Sequence, residues 1–280
     1  MRNGELTSTP SAEDFRALAR SSPWRFSTIH FTHRDLRDRD AGVHASVEAW
    51  LDRPAARVTV RCADCVDVSQ GVPYSTSRVI FRLEGAAAEP EPKPEPEPWF
   101  RPDGLVEERP PHWQFDHGDP MWRDYQWTAM LDPYELSRGV DVEDVAAVTI
   151  QGRPTWSAIC RPVMGEGEDW DGGYDPRCGC CPLLDSLASR FPEYGEGHSV
   201  LSEAEIPSAY RVWLDVGTAI VVRIEALDGH GGTVFSNEIH TVDEPIEAPA
   251  QTEPPDPPVR SWRAVPGRLR RDTPPQPPQG

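Results

Sequence analysis

The chain has 280 residues, 28 Lys plus Arg against 46 Asp plus Glu, and a net charge of -18. That acidity argues against a nucleic-acid partner, whose binding rests on Lys and Arg neutralising phosphates, and against anionic membrane surfaces. No run approaches the roughly 18 apolar residues of a membrane span, so no span is expected.

The first ten residues, MRNGELTSTP, hold no apolar h-region, and the expected location is cytoplasmic. In a reducing compartment disulfides are not the default, and the six cysteines read as core fillers, metal ligands or redox thiols. One main domain is expected over residues 11–243, after a flexible stretch at 1–10. Residues 244–280, Pro-rich from Glu247 to Gly280, read as a disordered tail.

Ser11-Ala-Glu-Asp14 has the form of a capping box opening a short helix through Phe15, Leu18 and Ala19, ending before Pro23. The segments Arg25–Thr32, Val43–Leu51, Arg57–Arg61 and Ser75–Leu83 are rich in β-branched and aromatic residues and predict successive antiparallel strands. The charged connector from Arg34 to Gly42 predicts a hairpin loop. Residues 86–98, AAAEPEPKPEPEP, predict an extended, solvated insert, because alternate prolines remove backbone donors.

A helical interlude follows. Asp119-Pro120 predicts an N-cap and first helical residue, with Trp122, Tyr125, Gln126 and Ala129 on one face. Asp132-Pro133 predicts a second short helix, Tyr134–Arg138, closed by Gly139. Val145–Gln151 and Thr155–Pro162 predict a hairpin around Gly152-Arg153, and Pro182–Arg190 a helix after the cysteines. Ala209–Leu214, Ile220–Leu227 and Thr233–Val242, joined by Gly-bearing turns, predict a three-stranded meander. The sum is an α+β fold: one large curved antiparallel sheet with a few short helices covering one face.

Chemistry concentrates in the cysteines. Cys178-Gly-Cys180-Cys181 and Cys62-Ala-Asp-Cys65 each contain a C-x-x-C spacing that aims two sulfurs at one tetrahedral metal. Cys62, Cys65, Cys178 and Cys181 could hold one structural zinc, with Cys180 left over or replacing Cys181. The competing readings are buried cysteines packing as small hydrophobes, or redox thiols activated by a helix beginning at Pro182. His30 and His33, and the loop holding His112, Asp116, His117 and Asp119, offer further donors, but in so acidic a chain a solvated loop is the simpler reading. No Gly-x-Ser-x-Gly elbow or His-Glu-x-x-His helix is present. The ten tryptophans suit either a core or a ligand pocket, and Trp24, Trp50, Trp122, Trp127, Trp156 and Trp213 all fall within predicted elements where they could line one cavity.

The early helix and hairpins, Leu131-Asp-Pro-Tyr-Glu-Leu136, Gly152-Arg-Pro-Thr-Trp156, Leu214-Asp-Val-Gly-Thr218 and Ile220-Val-Val222 together resemble the LolA/RseB lipoprotein-carrier superfamily. Tyr174 to Leu184 resembles the Tyr-x-Pro-Arg-Cys-x-Cys-Cys-Pro-Leu-Leu segment of certain actinobacterial proteins. The resemblance covers about residues 13–243. It implies an unclosed half-barrel whose concave apolar face is covered by helices and, in carriers, holds acyl chains. Neither a signal peptide nor an N-terminal lipidated cysteine is expected from the first residues, a departure from the carriers, and the carrier function is therefore not expected to transfer with the fold. The expectation is a non-enzymatic protein that binds an apolar small molecule, a lipid or a protein partner, with Trp122, Trp127, Met130 and Leu131 at the cavity and its lid. The alternative is a structural or regulatory interaction protein with a filled core and a Cys-rich zinc or packing brace.

Overall fold

The computed structural model describes residues 7, 9–36, 46–63, 65–71, 97–110, 119–167, 170–194 and 203–251. The expected strand at Ser75–Leu83, the insert at 86–98 except its last two residues, the loop histidines His112 and His117 with Asp116, and the tail beyond residue 251 lie outside them. So does most of the 34–42 connector.

The capping box forms as expected. Helix α1 (Ala12–Ser21) begins where the Ser11 hydroxyl accepts the Asp14 N–H at 3.2 Å and the Asp14 carboxylate accepts the Ser11 N–H at 2.8 Å. Such a cap contributes about 1 kcal/mol. Phe15, Leu18 and Ala19 are fully buried. Pro23 then sits in a 3-10 turn, Ser22–Trp24, which Arg25 closes by donating its N–H to the Ser22 carbonyl at 3.1 Å. That turn holds Arg25 out of the first strand, which begins three residues later than the sequence suggests, at Thr28.

The strands are β1 (Thr28–Asp35), β2 (Ser46–Asp52), β3 (Arg57–Arg61), β4 (Val66–Gln70), β5 (Trp99–Phe100), β6 (Val106–Glu108), β7 (Val140–Ile150), β8 (Arg153–Pro162), β9 (Tyr210–Asp215), β10 (Val221–Ala226) and β11 (Gly232–Val242). Nine of them form one antiparallel sheet in the order β4-β3-β2-β1-β11-β10-β9-β8-β7, while β5 and β6 pair separately. Among the described residues β4 and β7 are the two edges and the sheet does not close. This is the α+β architecture the sequence predicts. Strand β4 was not expected; its Val66 and Val68 alternate with Asp67 and Ser69, and it pairs along the whole of β3.

The β7–β8 hairpin turns at Gln151 and Gly152, whose φ angles of 50° and 77° are those of a type I′ connection. Gly139, expected as a helix terminator, has φ of +60°, and a Cβ there would stand 2.0 Å from the Gly173 carbonyl oxygen. Glycine is therefore required twice over, for the backbone angle and for the close approach of the segment leading to the cysteines.

Two helix starts differ from expectation. Asp119 does not cap α2. Its buried carboxylate instead pairs with buried Arg53 at 3.0 Å, and α2 (Tyr125–Leu131) starts where Asp124 accepts the Trp127 N–H at 3.3 Å. Tyr125, placed by the sequence on the buried face with Trp122, Gln126 and Ala129, is exposed. Helix α3 spans Leu187–Tyr194 rather than beginning at Pro182. Ser186 supplies the cap, its hydroxyl accepting the Ser189 N–H at 3.2 Å.

Helices α1 and α2 lie on one face of the sheet, where Phe15, Leu18 and Met130 join Phe31, Val212, Ile224 and Phe235 in one core. The tryptophans divide between faces. Trp122, Trp127 and Trp156 belong to the core, whereas Trp50 stacks on His30 at 4.6 Å and Trp213 lies under the Arg223 guanidinium. One face of a strand alternates with the other, so these rings cannot line a single cavity.

Candidate functional site

The cysteine loop is built from the turn that follows α2. Asp132 ends that helix, and Pro133 leads into a 3-10 turn, Tyr134–Ser137. Both acidic side chains of this stretch point inward, Asp132 at 0% and Glu135 at 1% exposure. Glu135 ties down both ends of the thiol segment. It accepts the Arg177 N–H at 3.4 Å before the cysteines and the Leu183 N–H at 2.9 Å after them. The Tyr174 hydroxyl donates to the same carboxylate and accepts the Leu184 N–H at 3.1 Å.

Asp132 adds a second anchor. It lies between Arg109, which donates from both terminal nitrogens, and Arg177. Gln126 on α2 adds a third by donating to the Pro182 carbonyl at 3.0 Å. Burial pushes the Glu135 carboxyl above its ordinary value, and the hydrogen bonds from Tyr174 and Leu183 offset only part of that. The Tyr174 hydroxyl is pushed well up by its own burial and by Glu135 beside it.

Within the held segment the thiols of Cys178, Cys180 and Cys181 all lie within 4.8 Å of one another. Sγ of Cys180 is 2.8 Å from that of Cys178 and 3.8 Å from that of Cys181. Burial alone would raise Cys178, but hydrogen bonds from the side chains and backbone of Cys180 and Cys181 outweigh it and lower that thiol. Cys181 is pushed up to about 12, by burial first and then by its bond with Cys178. The expected cause of thiol activation, a helix N-terminus at Pro182, is absent from this place because α3 begins only at Leu187.

The second cluster, Cys62, Cys65 and Asp67, likewise lies within 4.8 Å, with Cys62 buried. Burial and Cys65 push the Cys62 thiol up to about 12. Both clusters border the start of α2: Arg123 acts on Cys62, Trp122 Nε1 donates to Asp67 at 3.5 Å, and the Tyr125 backbone bonds Cys181. They nevertheless form two separate groups. The single four-thiol zinc cage expected of Cys62, Cys65, Cys178 and Cys181 is not assembled, because one pair belongs to the β3–β4 edge and the other to a loop fixed independently by Glu135. No disulfide joins the six cysteines.

Next to the thiol loop is a cleft of about 440 Å³. One wall is Cys180 to Leu183 with Asp185 and Arg190; the other is the β10–β11 turn, including His230, Gly231 and Thr233. Arg190 pairs with Asp185 at 2.6 Å, and His230 lies 3.6 Å from Glu205. Sequence reasoning missed this cleft. Its lining comes from segments as distant as Leu36, Asp124, Arg190 and Val234, and only the cysteines carried a local signal.

The residues expected at a cavity and its lid lie elsewhere. Trp122, Trp127, Met130 and Leu131 are 7%, 4%, 1% and 0% exposed, and none lines the cleft. They fill the space beneath the sheet instead: Trp127 packs on Phe31 at 5.6 Å and edge-on to Trp122 at 4.9 Å. The Met130 sulfur accepts from Asn237 at 3.4 Å, and the Leu131 carbonyl accepts from Ser22 at 2.5 Å. His30 and His33 stand on opposite faces of β1, bonding Glu48 at 2.7 Å and Asn237 at 2.9 Å.

No family model matches the sequence, and no curated protein matches it. Among solved structures the chain is similar to the lipoprotein LppX of Mycobacterium tuberculosis, at 14% identity over 85% of this chain and 100% of that one, with a TM-score of 0.38. It is also similar to MucB, at 13% identity over 85% of this chain and 60% of that one, with a TM-score of 0.29. Likeness at this level carries no argument about ligand or partner; the α+β class stands on the sheet order itself. Among the described residues no helix is long and apolar enough to cross a membrane.

Proposed function

We propose that this protein binds a small molecule without transforming it, in the cleft between the cysteine loop and the β10–β11 turn. The observation that carries this reading is the cleft's size and lining. About 440 Å³ falls within the roughly 300–1,000 Å³ of ligand sites. Apolar Leu183 and Val234 alternate there with polar Gln126, Arg190 and His230. A wall held by Glu135 and Asp132 loses little freedom when a ligand arrives, and that raises affinity without any added contact.

The packed space beneath α2 favours a second reading, a structural or regulatory interaction protein with a filled core. The two separate in one titration. Thr233 lines the cleft and is half-buried, so Thr233→Trp should fill it. With 1-anilinonaphthalene-8-sulfonate as fluorescent probe, the cleft reading expects saturable binding to the wild type, weakened about 10-fold or more in T233W, roughly 1.4 kcal/mol. Equal affinity in the two proteins, or no saturable binding, favours the filled scaffold.

A further inference from the structure

The geometry points to a metal site at Cys178, Cys180 and Cys181: we infer that these three thiols bind one thiophilic cation, zinc(II) or copper(I), at the wall of the cleft. Three sulfur donors from four consecutive residues already converge within 4.8 Å. Sulfurs about 2.3 Å from a tetrahedral zinc are about 3.8 Å apart, and Cys180 and Cys181 stand at 3.8 Å. Cys178 and Cys180, at 2.8 Å, need to separate by about 1 Å to share that ion. Cys180 is exposed and the other two are partly so, leaving the cation a path in.

The site is also braced as metal sites are. The segment is fixed at Arg177 and Leu183 by one carboxylate, and Pro182 is held by Gln126. Residues that fix ligands from behind commonly govern metal affinity about as strongly as a tenfold change or more. Thiolate donors select zinc or copper(I) over magnesium or calcium. Since Cys180 and Cys181 also line the cleft, a three-thiolate ion would leave its remaining coordination position toward the space where a small molecule would sit. Cys62, Cys65 and Asp67 offer a weaker set for a thiophilic ion, with two thiols and a carboxylate in place of three thiols and with Cys62 buried.

Cobalt(II) is the probe, because thiolate-to-cobalt charge transfer reports the number of sulfur ligands. The full chain, reduced and anaerobic, is titrated with cobalt(II), then back-titrated with zinc(II), and separately with copper(I) under a competing chelator. The expected result is one cobalt per chain with intense near-ultraviolet charge transfer, displaced by zinc. That signal persists in Cys62→Ser/Cys65→Ser and is lost in Cys180→Ser/Cys181→Ser, whose circular dichroism matches the wild type. Either member of the second pair changed singly should give a weaker band, which guards against a folding defect in the double variant. Charge transfer that survives in Cys180→Ser/Cys181→Ser, or that disappears in Cys62→Ser/Cys65→Ser, overturns the assignment. Absence of stoichiometric binding of all three metals overturns it as well. The readout is independent of the dye, so a failed metal site and a failed cleft are told apart.

Discussion

Asp132→Ala is expected to destabilise the fold by about 3–5 kcal/mol, read as a lowered urea midpoint with an unchanged slope. Asp132 is fully buried between Arg109 and Arg177, themselves almost fully buried. Removing the carboxylate strips both guanidiniums of their shared counter-charge, and the penalty comes from those desolvated cations more than from the attraction lost. Arg109 also lies over the Tyr134 ring at 4.5 Å and donates to the Arg20 carbonyl at 2.8 Å, so it cannot readily swing out to solvent. Because Asp132 and Arg177 are direct partners, Asp132→Ala/Arg177→Ala should cost less than the sum of the single changes. The same substitution should speed reaction of the Cys178–Cys181 thiols with an aromatic disulfide reagent under native conditions, since Arg177 adjoins that segment. A loss below about 1 kcal/mol would mean that the network is solvated and does not brace the loop.

Trp127→Ala should cost about as much, 3–5 kcal/mol, through the cavity it leaves among Phe31, His33 and Trp122. Trp127→Phe should cost far less. The Trp127 indole N–H is buried and meets no acceptor among the described residues, and a donor in that position carries a penalty of about 1–3 kcal/mol. Phenylalanine removes that penalty while keeping most of the ring contact. Thermal or urea unfolding of the two variants checks this. Equal losses would show that the indole nitrogen, and not the ring area, is what α2 contributes at this position.

Local signals in the sequence led to the right elements where one short stretch decides the outcome. Ser11 with Asp14 sufficed for α1, Gly152 for the β7–β8 turn, and the Gly-bearing turns for the final meander. Failures occurred where a distant partner outcompeted the local one. Asp119 looks like a helix cap, but a buried arginine 66 residues away in sequence takes it. Pro182 looks like a helix start, but Gln126 and Glu135 bond the chain there in a bent, non-helical path, and α3 begins only at Leu187.

The candidate site divides the same way. The three thiols were conspicuous as a motif, yet their separation from Cys62 and Cys65 depends on which carboxylate secures which loop. Asp132 and Glu135 read simply as the opening of a small helix, with nothing in their spacing to mark them as buried anchors. The cleft had no linear signature at all. The apolar character of α2 was legible, but periodicity cannot distinguish a lid over a cavity from a helix filling it, because both present the same face to the sheet.

Amide-resolved NMR mapping of bound 1-anilinonaphthalene-8-sulfonate, with the Trp127 indole followed in the same spectra, tests the placement of the binding site most directly. Shifts are expected to concentrate at Cys180, Cys181, Gly231 and Thr233 while the Trp127 indole and the Met130 and Leu131 amides stay still. Shifts centred on Trp127, Met130 and Leu131, with the cleft amides silent, would contradict it and return the ligand to the space beneath α2.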